Sequence, residues 1–148
     1  MTKFSSESIN KILVPIDGSN YSISAAEYAM GIAKFRNAEV LIVFVVDEVV
    51  IDQFAKVNDR KAVEAELKKD GERYTNYALR LAEKENVKIT QLIVRGRPYE
   101  QIVNLAKSFD VDLIVMGTYG HRGAERILIG SVTERVIEYS PCPVLVIK

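Results

Sequence analysis

The chain has 148 residues, twenty of them basic and twenty acidic, so no overall field draws in nucleic acid or an anionic membrane, and any anion site has to be local. Its longest apolar run, residues 40–46, is far shorter than the roughly 20 residues that cross a bilayer, and residues 1–10 lack the apolar core of a secretory signal. Because the single cysteine, Cys142, also excludes an internal disulfide, we expect a cytoplasmic protein with one domain over residues 1–148.

The first part of the chain predicts a strand, a helix and a second strand. The run KILVPID is short, β-branched and apolar, which is typical of a buried strand, and Pro15 and Gly18 close it. Ser19 can cap a helix that continues to about Phe35, because small apolar residues recur there at helical spacing. The run EVLIVFVVD, residues 39–47, is apolar on both faces, as a central parallel strand covered by helices on each side must be.

The second part repeats this alternation after one unassigned segment, residues 47–58. Asp59 can cap a long helix to about Glu85, which has one apolar face and one charged, solvated face. The third strand is VKITQLIVRG, and Pro98 opens a short helix after it, because the first turn of a helix tolerates proline. The fourth strand is DVDLIVMG, and a last helix follows at residues 131–139.

Strands that alternate with helices predict a parallel sheet with right-handed crossovers, in a Rossmann-like three-layer α/β/α arrangement. The final run VLVIK, residues 144–148, supplies the fifth strand, and we expect strand order 3-2-1-4-5. In such sheets ligands bind beyond the carboxyl ends of the strands where the winding reverses, here between strands one and four. Asp17 and Gly117 end those two strands and therefore mark the predicted crevice.

A glycine-rich loop, GTYGHRGAERILIGS at residues 117–131, begins at this crevice and leads into the last helix. Glycine lets backbone N–H groups converge on a ligand, and the helix N-terminus adds unpaired donors and a partial positive charge. Phosphate is therefore the expected ligand, with the Ser131 and Thr133 hydroxyls as donors. The expected contacts are Gly117, Gly120, Arg122, Arg126, Gly130, Ser131 and Thr133.

A purely structural interpretation of these residues stays open. The glycines can shape a long loop, Ser131 with Glu134 can form a capping box that starts the helix, and Asp17 can belong to a turn. The known phosphate-binding motifs exclude two classes of nucleotide-binding protein. A G-x-x-x-x-G-K-[ST] loop does not occur, and G-x-G-x-x-G does not follow the first strand, which excludes a P-loop enzyme and an ordinary dinucleotide binder.

The spacing Gly117-x2-Gly120-x9-Gly130-Ser131 resembles the ATP-binding signature of the universal stress protein family. The resemblance extends from ILVPIDGS at the first strand to SVTERVIEYSPCPVLVIK at the end, and it is weakest over residues 47–58. It implies a stress-response or regulatory module that binds ATP (or AMP or ADP), with or without Mg²⁺. It also implies a homodimer formed through the last strand, residues 144–148.

The resemblance implies roles for individual positions. Pro15 and Asp17 would lie beside the adenosine, with Asp17 near the ribose hydroxyls, and Val45 would line the adenine pocket. The loop would wrap the ribose and phosphates, and the start of the last helix would add phosphate contacts. The positions implied there are Gly117, Thr118, Gly120, His121, Arg122, Gly123, Gly130, Ser131, Val132 and Thr133.

An enzyme on the same fold, a slow ATPase or a nucleotidyl transferase, is the alternative. Phosphoryl transfer needs metal held by carboxylates and a group that positions the nucleophile, and the phosphate loop contains only Glu125 as an acid. His121 is the only histidine, and no Cys or carboxylate cluster completes a zinc site around it. A binding module is therefore favoured, with slow hydrolysis left open.

Overall fold

The fold is given by a computed structural model that describes residues 8–54, 56, 59–119 and 129–148. The strands are β1 (Lys11–Pro15), β2 (Glu39–Asp47), β3 (Ile89–Gly96), β4 (Leu113–Gly117) and β5 (Val144–Ile147). The helices are α1 (Asn20–Arg36), α2 (Glu48–Phe54), α3 (Arg60–Glu85), α4 (Pro98–Ser108) and α5 (Ser131–Tyr139). All strand pairs are parallel, and the order across the sheet is β3-β2-β1-β4-β5. The predicted α/β class and strand order are confirmed.

The sheet is buried on both faces because its central strands carry apolar side chains on both. Val14 and Ile42 pack with α1 and α3 on one face, whereas Leu13 and Val43 pack with α4 and α5 on the other. Each large aliphatic side chain that is fully buried in this way contributes roughly 1.5–3 kcal/mol. Helices on both faces complete the three predicted layers.

Two of the predicted helix starts differ in how they are capped. Ser19 has extended backbone geometry, and its side chain accepts a hydrogen bond from the Ser22 N–H at 3.2 Å, so the predicted cap of α1 is confirmed. Asp59 precedes α3 as predicted, but its side chain makes no capping hydrogen bond. The reason is that its backbone is already in the helical region (φ −103°, ψ −5°), whereas a capping residue is extended.

Residues 47–58, which the sequence pattern does not assign, include a short helix, α2, directly after β2. The Asp47 carboxylate starts it, because its Oδ1 accepts a hydrogen bond from the Val49 N–H at 2.9 Å. The longer α3 has the predicted charged outer face, with ion pairs such as Lys68–Glu64. Among the described helices, none combines the length and the apolar character needed to span a membrane.

The turn between β1 and α1 requires glycine at position 18. Gly18 has φ +87°, a conformation that side chains with a Cβ rarely adopt. A Cβ there would also overlap the ring of Tyr74 on α3, whose hydroxyl oxygen would be only 2.6 Å away. The close contact between Gly18 and Tyr74 therefore holds α3 against the turn that carries Asp17.

Gly18→Ala is expected to lower the free energy of unfolding by about 2–4 kcal/mol, through backbone strain and displacement of the Tyr74 ring. For a chain of this length the melting temperature should fall by roughly 5–15 °C. Calorimetry or thermal circular dichroism measures the change in melting temperature. Gly31→Ala is the matched control, because Gly31 is exposed on α1 and a Cβ there meets nothing within 4 Å, so stability should hold or rise. Equal melting temperatures for Gly18→Ala and the wild type would contradict the prediction.

Candidate functional site

A cavity of about 330 Å³ lies at the carboxyl ends of β1, β2 and β4. Its position includes the point between β1 and β4 where the winding of the sheet reverses. Eight of the residues expected at a ligand site line it: Pro15, Asp17, Val45, Gly117, Gly130, Ser131, Val132 and Thr133. The folded chain thus brings together residues from β1, β2, β4 and the start of α5.

Six of the expected site residues are not placed in this cavity. Gly120, His121, Arg122 and Gly123 lie outside the described residues, as does Arg126. Thr118 is described and buried, but its hydroxyl donates to the carbonyl oxygen of Ile147 at 2.7 Å. Its backbone N–H donates to the same oxygen at 2.9 Å. The Thr118 side chain therefore joins the start of the loop to β5, and its contact with a ligand stays a prediction.

The hydroxyl of Thr133 also makes a hydrogen bond within the fold. Thr133 is buried, and its Oγ1 donates to the Gly117 carbonyl oxygen at 2.8 Å. A hydroxyl has one proton to donate, and in the structure this proton joins α5 to β4. The contact of Thr133 with phosphate stays a prediction.

The start of α5 is built by Gly130 and not by Ser131. Gly130 is the N-cap, with extended backbone (φ −67°, ψ 157°), and its carbonyl accepts the first helical hydrogen bond from the Glu134 N–H at 2.9 Å. Ser131 is the first helical residue, so the capping box of Ser131 with Glu134 does not form. The first N–H groups of a helix have no partner within it and carry a partial positive charge, which suits an anion.

The absence of a side chain at Gly117 has a packing reason. A Cβ at this position would lie 2.7 Å from the backbone carbon of Tyr21 and 3.0 Å from the Ser22 nitrogen. The end of β4 can therefore approach the first turn of α1 only with glycine here. Gly117 forms part of the cavity wall, as expected, but its glycine character is explained by α1.

Asp17 combines the two interpretations that the sequence left open. Its Oδ1 accepts a hydrogen bond from the Ser19 N–H at 2.9 Å, and its own N–H donates to the Ser22 hydroxyl at 3.2 Å, so it does belong to the turn into α1. It also lines the cavity and is half-buried. The turn holds the carboxylate at a defined place beside the ligand space.

Sequence reasoning missed several residues of the wall. They lie directly after β1, on β2 and β4, and on α1, α2, α3 and α4: Ile16, Ser22, Val43, Phe44, Asp47, Val50, Leu67, Pro98, Ile102 and Met116. The sequence pattern does indicate one of these residues, Asp47. Asp47 ends β2 as Asp17 follows β1, and a carboxylate at a strand end faces the ligand edge of a parallel sheet.

The described side chains outside the cavity that could react or bind a metal ion do not add to the site. Cys142 is buried, and burial raises the pKa of its thiol, which disfavours the reactive thiolate. In the part of the chain that the structure describes, no three His, Cys, Asp or Glu side chains are grouped to hold a metal ion. The cavity is the site to which the described residues point.

Comparison with known proteins gives a consistent match. The family model described as "Universal stress protein family" matches residues 8–148. Universal stress protein MJ0531 of Methanocaldococcus jannaschii is 42% identical over 138 residues, which cover 93% of this chain and 81% of that protein. The solved structure of MJ0577 from the same organism is similar with a TM-score of 0.86 and 32% identity, over 95% of this chain and 96% of that one.

Two further solved structures contain nucleotides. A universal stress protein in complex with cAMP has a TM-score of 0.67 and 25% identity, over 94% of this chain and 96% of that one. The universal stress protein from Archaeoglobus fulgidus in complex with dAMP has a TM-score of 0.65 and 26% identity, over 94% of this chain and 98% of that one.

Proposed function

Because the chain belongs to the universal stress protein family, we propose that it binds an adenine nucleotide, ATP foremost, in the cavity at the carboxyl ends of β1, β2 and β4. One observation carries the proposal: the first turn of α5, opened by Gly130, shares a single cavity with Asp17 and Val45. An anion site, a carboxylate suited to hydroxyl groups and an apolar wall are what the phosphate, ribose and base of a nucleotide require.

The order of these groups across the sheet fits the order of groups in a nucleotide. The anion site lies at β4 and α5, Asp17 follows β1, and Val45 lies on β2. Neighbouring strands are about 4.8 Å apart, so the span from β4 across β1 to β2 is about 10 Å. We place the phosphates at α5, the ribose beside Asp17 and the base beside Val45.

The ligands of the similar structures support the base assignment. The relatives complexed with cAMP and dAMP both hold an adenine nucleotide, and both cover more than nine-tenths of this chain. Adenine and a phosphate on a pentose are the groups that those two ligands share with ATP. Val45 on β2, Val50 on α2 and Leu67 on α3 give the cavity an apolar lining suited to the base.

We favour a regulatory, single-domain cytoplasmic module over an enzyme. Among the described cavity residues, the carboxylates are Asp17 and Asp47, and each accepts a backbone N–H near a helix start, from Ser19 and Val49 respectively. Carboxylates used in this way position the walls of a binding site. Slow hydrolysis on the same fold stays the alternative, and the rate of turnover separates the two.

ATP is expected to stabilise the folded protein with little turnover. At about a hundred times its dissociation constant, a ligand that binds only the folded state adds roughly 2.7 kcal/mol to the free energy of unfolding. For a chain of this length the melting temperature should rise by roughly 5–10 °C. The measurement is a thermal melt of nucleotide-stripped protein with ATP and Mg²⁺, together with a steady-state assay of phosphate release.

Two results would count against this function. One is an unchanged melting temperature at millimolar ATP. The other is hydrolysis on the order of 1 per second or faster, which is ordinary for an enzyme. Mass analysis of nucleotide released from freshly purified, denatured protein identifies whether ATP, ADP or AMP is carried.

The proposal includes a homodimer formed through β5. This strand lies at one edge of the sheet, and its four residues are only half-buried in the single chain. An apolar edge strand with open N–H and C=O groups is a template for pairing with another strand. A second copy related by a twofold axis can pair with it in antiparallel fashion.

A further inference from the structure

Asp47 stands at the far end of the cavity from α5. The pairing of β1 with β2 ends at Pro15 and Val43, and β2 continues beside β3 to Asp47, opposite Gly96. The end of β2 therefore projects beyond β1 and forms the wall where the proposed function places the base. Val45 and Asp47 are two residues apart on one strand, so their side chains lie on the same face of the sheet.

The Asp47 carboxylate is held in place by its own backbone surroundings. Its Oδ1 accepts the Val49 N–H at 2.9 Å, which fixes the carboxylate at the start of α2. A carboxylate has about four acceptor sites, so it can accept a hydrogen bond from a ligand in addition to the one from the Val49 N–H. Val50 and Leu67, which line the same cavity, are apolar, and a polar group in a largely apolar cavity discriminates strongly between donors and acceptors.

We infer that Asp47 selects the base of the bound nucleotide by accepting a hydrogen bond from an exocyclic amino group. The inference rests on the proposed function, because it assigns the base to the end of β2. Adenine presents an amino donor at its 6-position, whereas a 6-oxo purine presents an acceptor oxygen there. A carboxylate facing that position attracts the first and repels the second. Asp47 is thus a specificity-determining residue for 6-amino purines.

The test compares ATP with ITP, which carries oxygen in place of the 6-amino group. Isothermal titration of the wild type should give tighter binding of ATP by about 10- to 100-fold, the value of a hydrogen bond to a charged group. Asp47→Asn should bring the two affinities within about threefold, because a carboxamide both donates and accepts. The variant keeps an oxygen for the Val49 N–H, so α2 keeps its cap.

Asp17→Asn is the matched control, because it makes the same change at the other carboxylate of the cavity. Asp17 lies on the ribose side, and the ribose is the same in both ligands. Its substitution should weaken ATP and ITP by a similar factor and leave their ratio unchanged. Asp47→Ser is a second variant that removes the carboxylate while keeping a good capping residue, and it should also lower the ratio.

The outcomes separate this role from the proposed function. An ATP-to-ITP ratio that falls in both Asp47 variants but not in Asp17→Asn supports the role of Asp47. A wild type that binds ATP, with a ratio that both Asp47 variants retain, overturns the role of Asp47 and leaves nucleotide binding standing. A wild type that binds neither ligand overturns the proposed function and this role with it. Circular dichroism confirms that each variant is folded.

Discussion

Gly130→Val is expected to abolish the stabilisation of the folded protein by ATP. Gly130 is buried at the cavity and caps α5, where the phosphates are placed. Its φ of −67° and ψ of 157° lie in the extended region that valine adopts readily, so the substitution adds bulk without backbone strain. A branched side chain there fills the approach to the first N–H groups of α5. The shift of roughly 5–10 °C with ATP should vanish in a thermal melt.

The substitution should cost the unliganded protein little. Valine is a poorer N-cap than glycine by about 1 kcal/mol or less, which lowers the melting temperature by a few degrees. Gly31→Val is the matched control: it makes the same change on the exposed side of α1, where a Cβ meets nothing within 4 Å, and the ATP shift should persist. If Gly130→Val keeps the wild-type shift, the phosphates do not lie at the start of α5.

Val146→Pro is expected to convert a dimer into a folded monomer. The Ile114 N–H donates to Pro143 and the Thr118 N–H to Ile147, so the odd-numbered residues of β5 face β4. By the alternation of a strand, the N–H of Val146 points to the open edge, where a second copy would pair. Proline removes that donor and leaves the hydrogen bonds of β4 with β5 in place. Light scattering at micromolar concentration should give twice 16.6 kDa for the wild type and 16.6 kDa for the variant.

The opposite edge of the sheet provides the control. The Val40 N–H donates to Lys88, so even-numbered positions of β3 face β2, and the N–H of Arg95 points outward. Arg95→Pro removes an outward donor from the other edge and an exposed ion pair with Glu64, which contributes little. This variant should stay dimeric. A wild-type mass of 16.6 kDa would rule out the dimer, and loss of the dimer in Arg95→Pro would exclude β5 as its specific edge.

The polar contacts of the site show where sequence reasoning reaches its limit. Ser19 caps α1 as predicted, because a cap bonds to a residue three positions away and is set locally. Thr133 fills no such local role, since its hydroxyl donates to Gly117 across the site. Asp59 has the residue type of a cap but not the extended backbone of one, and a residue type alone does not fix the backbone conformation.

The cavity walls show the same limit for apolar residues. The sequence predicts that Asp17 and Gly117 lie at the crevice, because the end of an apolar strand can be recognised from the residues that follow it. Leu67 belongs to the apolar face of α3, and the structure places it in the cavity wall as well as against the core. Helical periodicity identifies the face that turns inward, but the neighbour that this face meets is set by packing.

The sequence by itself determined the alternation of strands and helices, the strand order and the location of the crevice. Local periodicity decides the elements, and right-handed crossovers leave few ways to order them. The tertiary structure alone decided that Gly117 serves the packing of α1 and that the Thr118 and Thr133 hydroxyls donate inside the fold. These features depend on groups that are distant in the chain and meet only when the sheet and helices have packed.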